Sequence, residues 1–267
     1  RKGVTIRCDA PVAEVIVKGG RATGVRTTHG ERLDADAVVM NADVAALARG
    51  LFGEAPRKAW PVDEDGGRSL SAVTFSLAVK TSGFPLVRHN VFFSSDYARE
   101  FKDIFERERL PEDPTVYVCA QDRDDSARAP GDGIDRMLWI VNAPARGGRA
   151  PFTPSEIERC EQQTRTQLSR MGLTVERDTS RCVITTPDEF EKMFPATGGA
   201  LYGPPSHGWT SPLRRAPSSS NIPGLFLAGG SAHPGAGVPM VAQSGRLAAA
   251  SVLESLASTA RSPRAAM

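Results

Sequence analysis

The feature that most constrains this chain is "GLFLAGGSAHPGAGVPMVAQSGRLAAASVLESL", Gly224 to Leu256, an apolar strand that empties into a glycine-crowded loop and restarts as a helix built of small residues. "LFLAGG" reads as a short buried strand ending at Gly229 and Gly230, with the helix beginning near Pro239, a residue that suits a first turn because its missing N–H is not needed there. The turn leaves free N–H groups and the positive end of the helix dipole facing the loop. Gly229, Gly230, Gly235 and Gly237 are free to take positive φ and let a ligand approach the backbone. Ala242, Ser244, Gly245, Ala248 and Ala249 would let the helix lie close to a sheet. By shape this is a site for a nucleotide or flavin, although neither GxGxxG nor a Walker ending occurs. The competing reading is a helix entry that is glycine-rich for steric reasons alone.

Composition narrows the field of functions. A net charge of +2, with 24% charged and 40% hydrophobic residues in 267, describes a globular chain and argues against a nucleic-acid partner. Cys8, Cys119, Cys160 and Cys182 form no CxxC pair, and the four histidines have no ligand spacing, so no metal site is expected and a reducing compartment is the default. No apolar run reaches the roughly 18 residues of a membrane span. The start at Arg1, directly in strand-like text, suggests a piece of a larger protein.

Toward the N-terminus "VTIR", "VAEVIV", "TGVRTT", "HGER" and "ADAVVMN" read as short strands, with Gly19–Gly20 turning a hairpin and the last run buried on both faces. Further on, "LSAVTFSLAVK", "VRHNVFF", "PTVYVCA" and "RMLWIVNA" suggest a mixed sheet with helices on one side. Tyr97, Phe101, Ile104 and Phe105 share one face of a helix, so core packing is expected of these aromatics, although with Phe92 and Phe93 they would also suit a polyene or a membrane-facing lip. Thr153, Pro154 and Glu156, then Thr186, Pro187 and Glu189, are capping boxes. The first opens a helix with Ile157, Cys160, Thr164, Leu168 and Met171 inward and Gly172 as its stop. The stretch 198–223 reads as a crossing connection.

"LFLAGGSAHPGAGVPMVAQSGRLAA" resembles the C-terminal FAD-binding signature of the phytoene desaturase-like carotenoid oxidoreductases, within the flavin amine oxidase superfamily. "GVTIRCDAPVAEVIVKGGRATGV…ADAVVMNAD" is similar to the returning strands of that family's FAD domain, and "TPDEFEKMF…GGALYG" to its substrate domain. "LVRHNVFFSSDY" and "LPEDPTVYVCAQDR" are most like the hydroxyneurosporene desaturase branch. The family opens with a GxGxxG unit that this sequence lacks, so about half of such an enzyme is expected to be missing.

The resemblance implies an α/β fold: a partial FAD-binding Rossmann-like domain of the glutathione reductase type, residues 1–45 and 219–258, with an α+β substrate domain, 46–218, inserted and a disordered tail, 259–267. It places Gly229 and Gly230 beside the ribityl and pyrophosphate of FAD. Val238, Pro239 and Met240 fall near the isoalloxazine, and the backbone of Val12 at the adenine. His233, Gly235 and Gly237 complete the cofactor-binding loop, His233 near the flavin without acid–base duty, a conformational anchor on a loop carbonyl being the alternative. Asn41, Ala42 and Asp43 would line the edge of the FAD domain. The implied reaction removes two hydrogens from adjacent allylic carbons of an acyclic carotenoid, in a protein peripheral to the membrane on its cytoplasmic side; no catalytic base is identified. A carotenoid isomerase and a lipid carrier of the same fold are the rivals. Tyr117, Gln121 and Asp122 could face substrate, but a core tyrosine and a surface turn at Asp122–Arg123 are favoured. Arg214 and Arg215 are read as solvated charge rather than phosphate ligands, and His29, His89 and His207 carry no assigned role.

Overall fold

The computed structural model describes residues 3–61, 67–124, 126–128, 130–176, 181–205 and 215–261. The chain divides into two compact units, Arg1–Gly67 with Tyr202–Met267, and Arg68–Leu201. His207 and Arg214 lie outside the described residues, as does 262–267.

The terminal unit opens with a hairpin, β1 (Val12–Lys18) and β2 (Arg21–Thr27), to which β3 (Arg32–Asp34) adds antiparallel. Gly19 and Gly20 take φ of 56° and 77°, the two positive values that a tight hairpin turn needs. "VTIR" forms no strand: Val4 and Ile6 are 79% and 85% exposed, and no strand pairs with them among the described residues. β4 (Val38–Met40) follows, then α1 (Val44–Ala48), capped by Asp43, whose carboxylate accepts from Ala45 N at 2.8 Å.

The inserted unit contains β5 (Ser71–Val79), β6 (Thr81–Ser82), β7 (His89–Phe92), α2 (Tyr97–Phe105), β8 (Val116–Ala120), β9 (Asp135–Ala143), α3 (Pro154–Arg170), β10 (Thr174–Val175), β11 (Cys182–Thr185) and α4 (Pro187–Met193). Its main sheet runs β11-β5-β9-β8-β7 and is antiparallel throughout rather than mixed. One face of the sheet carries Val73, Phe75, Trp139, Val141 and Val118, which pack with Cys160 and Leu168 of α3 into the core. Both capping boxes are present. Met171, expected inward, is 42% exposed because α3 ends at Arg170 and Gly172 turns the chain at φ 90°. The start of β9 is fastened by a buried ion pair: Arg123 Nε donates to Asp135 at 2.7 Å, with the side chains 8% and 2% exposed, and Thr81 Oγ1 donates to the same carboxylate at 2.6 Å. Arg123 is therefore an internal cation, not part of a surface turn. The chain ends of this unit also meet, where Leu201 N donates to Leu70 O at 3.0 Å.

α2 inverts the expected packing. Its buried residues are Glu100, Asp103 and Ile104, while Tyr97 and Phe105 are 53% and 40% exposed. Glu100 accepts from Thr115 Oγ1 at 2.6 Å and Asn142 Nδ2 at 3.2 Å, and Asp103 from Arg107 and Arg109. Buried carboxylates with that many donors are tolerated. The aromatics instead pack on one another along the outside, Tyr97 edge-on to Phe101 at 4.8 Å and Phe101 stacked on Phe105 at 5.9 Å between ring centroids. Asn142 alternates with the core residues of β9, so α2 touches the face of the sheet opposite α3, and the helices are not confined to one side.

The chain then returns to the terminal unit as β12 (Leu225–Leu227) and α5 (Val238–Arg261). Residues 46–67 and 202–218, expected with the insertion, group with this unit where they are described. Val44, Leu47 and Ala59 share a core with Val15 and Leu225, Val15 N donates to Phe52 O, and Ala216 bridges to Ala232. α5 extends through residues 259–261, placed in the tail from sequence; Thr259 Oγ1 donates to Ser255 O at 2.9 Å.

Candidate functional site

β12 and β4 run parallel, with Leu225 opposite Val38 and Leu227 opposite Met40. Leu225, Phe226 and Leu227 are buried, but Val39 is 50% exposed, so β4 is covered on one face only, not on two. Both strands end at the same edge, and their carboxyl ends deliver residues 41–43 and the glycine loop side by side. In parallel sheets such an edge is where ligands bind.

The loop is held by bonds that the protein makes with itself. Ala228 N donates to Met40 O at 2.9 Å, Gly229 N to Ser244 Oγ at 3.2 Å, and His233 N to Ala216 O at 2.8 Å. Ser231 Oγ accepts from Val44 N at 3.1 Å, which ties the loop to the first turn of α1. Arg215, 5% exposed, reaches three carbonyls: Nη1 donates to Gly230 O at 2.6 Å, and Nη2 to Tyr202 O at 3.1 Å and Pro204 O at 3.0 Å. Burial pulls its guanidinium below the ordinary arginine range, and the charge of Asp43 opposes that pull. The reading of Arg215 as solvated charge is thus replaced by a buried cation that braces the loop.

The glycines divide by cause. Gly229 has φ 116°, and a Cβ there would lie 2.7 Å from Asn41 Oδ1; Gly235 has φ 136°, and its Cβ would lie 3.2 Å from Arg215 Nε. Packing within the protein demands both. Gly230 lies outside the positive-φ region, contrary to the sequence reading. Gly237 differs from the rest: φ is 101°, and a Cβ would meet nothing within 4 Å. Beyond it Val238 is 82% and Met240 47% exposed, and Pro239 is exposed too. The first-turn N–H groups of an α-helix have no carbonyl within the helix to bond, and here that turn is exposed, with the positive end of the dipole behind it. A helix entry of this kind, with an open glycine before it, suits an anionic or oxygen-rich group.

The structure therefore brings Gly229, Gly230, His233, Gly235, Gly237, Val238, Pro239 and Met240 into one loop and helix entry, with Asn41 and Asp43 alongside. His233 is half-buried and precedes a cis peptide to Pro234, and its backbone N–H donates to Ala216 O. Val12 stands apart, half-buried at the start of β1 in the three-stranded sheet. Of the small residues of α5, Ser244 and Ala248 turn inward at 1% exposure, while Ala242, Gly245 and Ala249 face outward. Sequence reasoning missed Ser231 and Ser244 as fasteners. Their only signal was a hydroxyl within a run of small residues. Among the described residues no cluster of His, Cys, Asp or Glu has the makings of a metal site, and no helix is long and apolar enough to cross a membrane.

Known proteins extend this geometry. The profile of the family described as flavin containing amine oxidoreductase matches residues 1–253. The chain is 52% identical over 263 residues to hydroxyneurosporene desaturase of Rubrivivax gelatinosus, covering 98% of this chain and 50% of that protein. It is 45% identical over 260 residues to the protein of the same name from Cereibacter sphaeroides, covering 97% and 51%. With 4,4'-diapolycopene oxygenase of Methylomonas sp it shares 32% over 251 residues, covering 92% and 49%. The chain spans about half the length of the curated relatives it matches. With a profile match over nearly its whole length, the chain belongs to the flavin containing amine oxidoreductase family.

Proposed function

We propose that this chain supplies the C-terminal half of the FAD site and the substrate unit of a desaturase acting on an acyclic, hydroxylated carotenoid. The observation that carries this reading is the open turn at Gly237, where steric room and the exposed first turn of α5 meet at the carboxyl edge of parallel strands. The match to two desaturases named for a hydroxylated carotenoid supports the choice of substrate. In this reading the Rossmann-like arrangement of the glutathione reductase type is completed by sequence outside this chain, Val12 offers its backbone to the adenine, and the protein works at a membrane surface where its substrate dissolves.

Bound FAD would supply the two-electron acceptor for the hydrogens removed from the substrate. The first turn of α5, Val238 to Met240, would lie along the ring, and its N–H groups and dipole favour negative charge there. Gly229 and Gly230 would let the sugar and phosphate portion approach the main chain. Arg215 would act at one remove, by holding the carbonyl of Gly230 in place. Ser231 and Ser244 keep the loop from collapsing into the space. No side chain in the loop is placed as a proton acceptor.

The experiment is to purify the longer protein that carries this chain, record its flavin absorbance, and analyse the products formed from a hydroxylated acyclic carotenoid. Bound flavin with a product two hydrogens lighter supports the proposal. Flavin with a product of unchanged mass would make it an isomerase, and a colourless protein that retains carotenoid would make it a carrier. Either outcome refutes the proposal.

A further inference from the structure

The sheet of the inserted unit has a second face, opposite its α3 core. Residues on that face form two rungs across the strands: Tyr117, Ile140 and Thr74 in one, and His89, Cys119 and Leu138 in the next. Four strands, β7 to β5, at their usual spacing make this strip about 14 Å long. It carries no formal charge along its middle. Polar groups close it on both sides, the Arg136–Asp122 ion pair along one margin and Glu100, bonded to Asn142, along the other. A neutral, elongated and apolar molecule matches such a strip in shape and in polarity.

One end of the strip, at the edge strand β7, is polar. His89 Nδ1 lies 2.7 Å from Tyr117 Oη, with the two rings stacked at 6.1 Å between centroids. Burial, and next Cys119, hold the Tyr117 phenol above its ordinary range, so it remains an O–H group. When the phenol donates to Nδ1, the imidazole carries its proton on Nε2 and offers it as a donor, while the phenol oxygen, which also meets the Cys119 thiol, has a second lone pair to offer as an acceptor. A hydroxyl group needs that combination. A methoxy oxygen uses only the donor, and a hydrocarbon end uses neither.

We propose that His89 and Tyr117 recognise the hydroxylated end of the carotenoid while its polyene lies across the Ile140 and Leu138 rungs, making the pair the determinant of end-group specificity. This rests on the desaturase reading above and assigns its substrate contact. The test uses the full-length, FAD-loaded protein and compares kcat/KM for a hydroxylated acyclic carotenoid with that for its unhydroxylated counterpart. Tyr117→Phe and His89→Ala should each lower the preference for the hydroxylated substrate by about fivefold to tenfold, the worth of one hydrogen bond. The change should fall in KM for that substrate alone. A purely structural role would depress both substrates alike, and the ratio cancels any loss of folded enzyme. Should Tyr117→Phe not fold, the exposed His89 carries the test. An unchanged ratio in a protein that desaturates carotenoid overturns this inference and leaves the desaturase reading intact. A parent protein that desaturates neither substrate overturns both.

Discussion

Replacing Arg215 with methionine tests whether the glycine loop is built by the protein or shaped by its ligand. The guanidinium is 5% exposed and makes three bonds to carbonyl oxygens, at 2.6, 3.1 and 3.0 Å. A hydrogen bond from a charged donor contributes about 1.5–3 kcal/mol, but burying the cation takes back part of it. Taking roughly 1 kcal/mol net for each, and adding the carbonyls left without a donor, Arg215→Met should cost about 3–5 kcal/mol. Arg215→Lys keeps the charge but not the fork that serves Gly230 from one nitrogen and Tyr202 and Pro204 from the other, so about half of that loss should remain. The assay is urea unfolding of the FAD-bearing protein, with flavin release followed in the same samples. Flavin should leave Arg215→Met at lower urea than the main transition, because Gly230 loses its brace. If the methionine variant unfolds within about 0.5 kcal/mol of the parent and keeps its flavin to the same point, Arg215 does not hold the loop.

Gly229→Ala should destabilise the protein by about 2–4 kcal/mol, since a φ of 116° is strained for alanine and the new Cβ meets Asn41 Oδ1 at 2.7 Å. Gly237→Ala meets only the strain, about 1–2 kcal/mol in a thermal melt, yet should weaken flavin binding more than Gly229→Ala relative to its stability loss. At Asp135 burial raises the carboxyl, but the bonds from Arg123 and Thr81 outweigh it and hold the group below the usual carboxylate range. A lowered folded value means stability that is present above about pH 4 and lost as the pH falls through the folded value, so the difference between parent and Asp135→Asn should be about 3–5 kcal/mol at pH 7 and shrink in acid. Denaturant midpoints measured across pH would show it. The thiol of Cys160, pushed up to about 12 by burial, should stay silent to a thiol reagent until unfolding, while exposed Cys8 reacts at once.

What could be read in the sequence was what local chemistry decides. The Gly19–Gly20 hairpin and the capping boxes at Thr153 and Thr186 depend on residues within four positions of one another, and the structure has them. The glycine loop was legible for the same reason, since strand, loop and helix entry are contiguous. The misreadings share a different origin. Periodicity finds that Tyr97, Phe101 and Phe105 share a stripe but not which way the stripe faces. The donors that draw Glu100 inward are Thr115 and Asn142, and Asn142 is 42 residues away. Arg215 reads as a surface cation because the carbonyls that bury it come from loops 11 to 15 residues distant. Val39 reads as doubly buried because its run is apolar, whereas its burial depends on whether anything packs on the second face of β4.

The bond between Leu201 N and Leu70 O bears on the order in which the molecule assembles. β4 and β12 are neighbours in space yet separated by nearly the whole inserted unit, and closing so long an unstructured segment costs on the order of 5 kcal/mol of chain entropy. The inserted unit is continuous in sequence, so it can collapse while β12 is still being synthesised. Once it does, its own ends lie a hydrogen bond apart, and residues 67 and 202 arrive together without a further search. The insertion thus acts as a splint that converts a remote pairing of β4 with β12 into a local one.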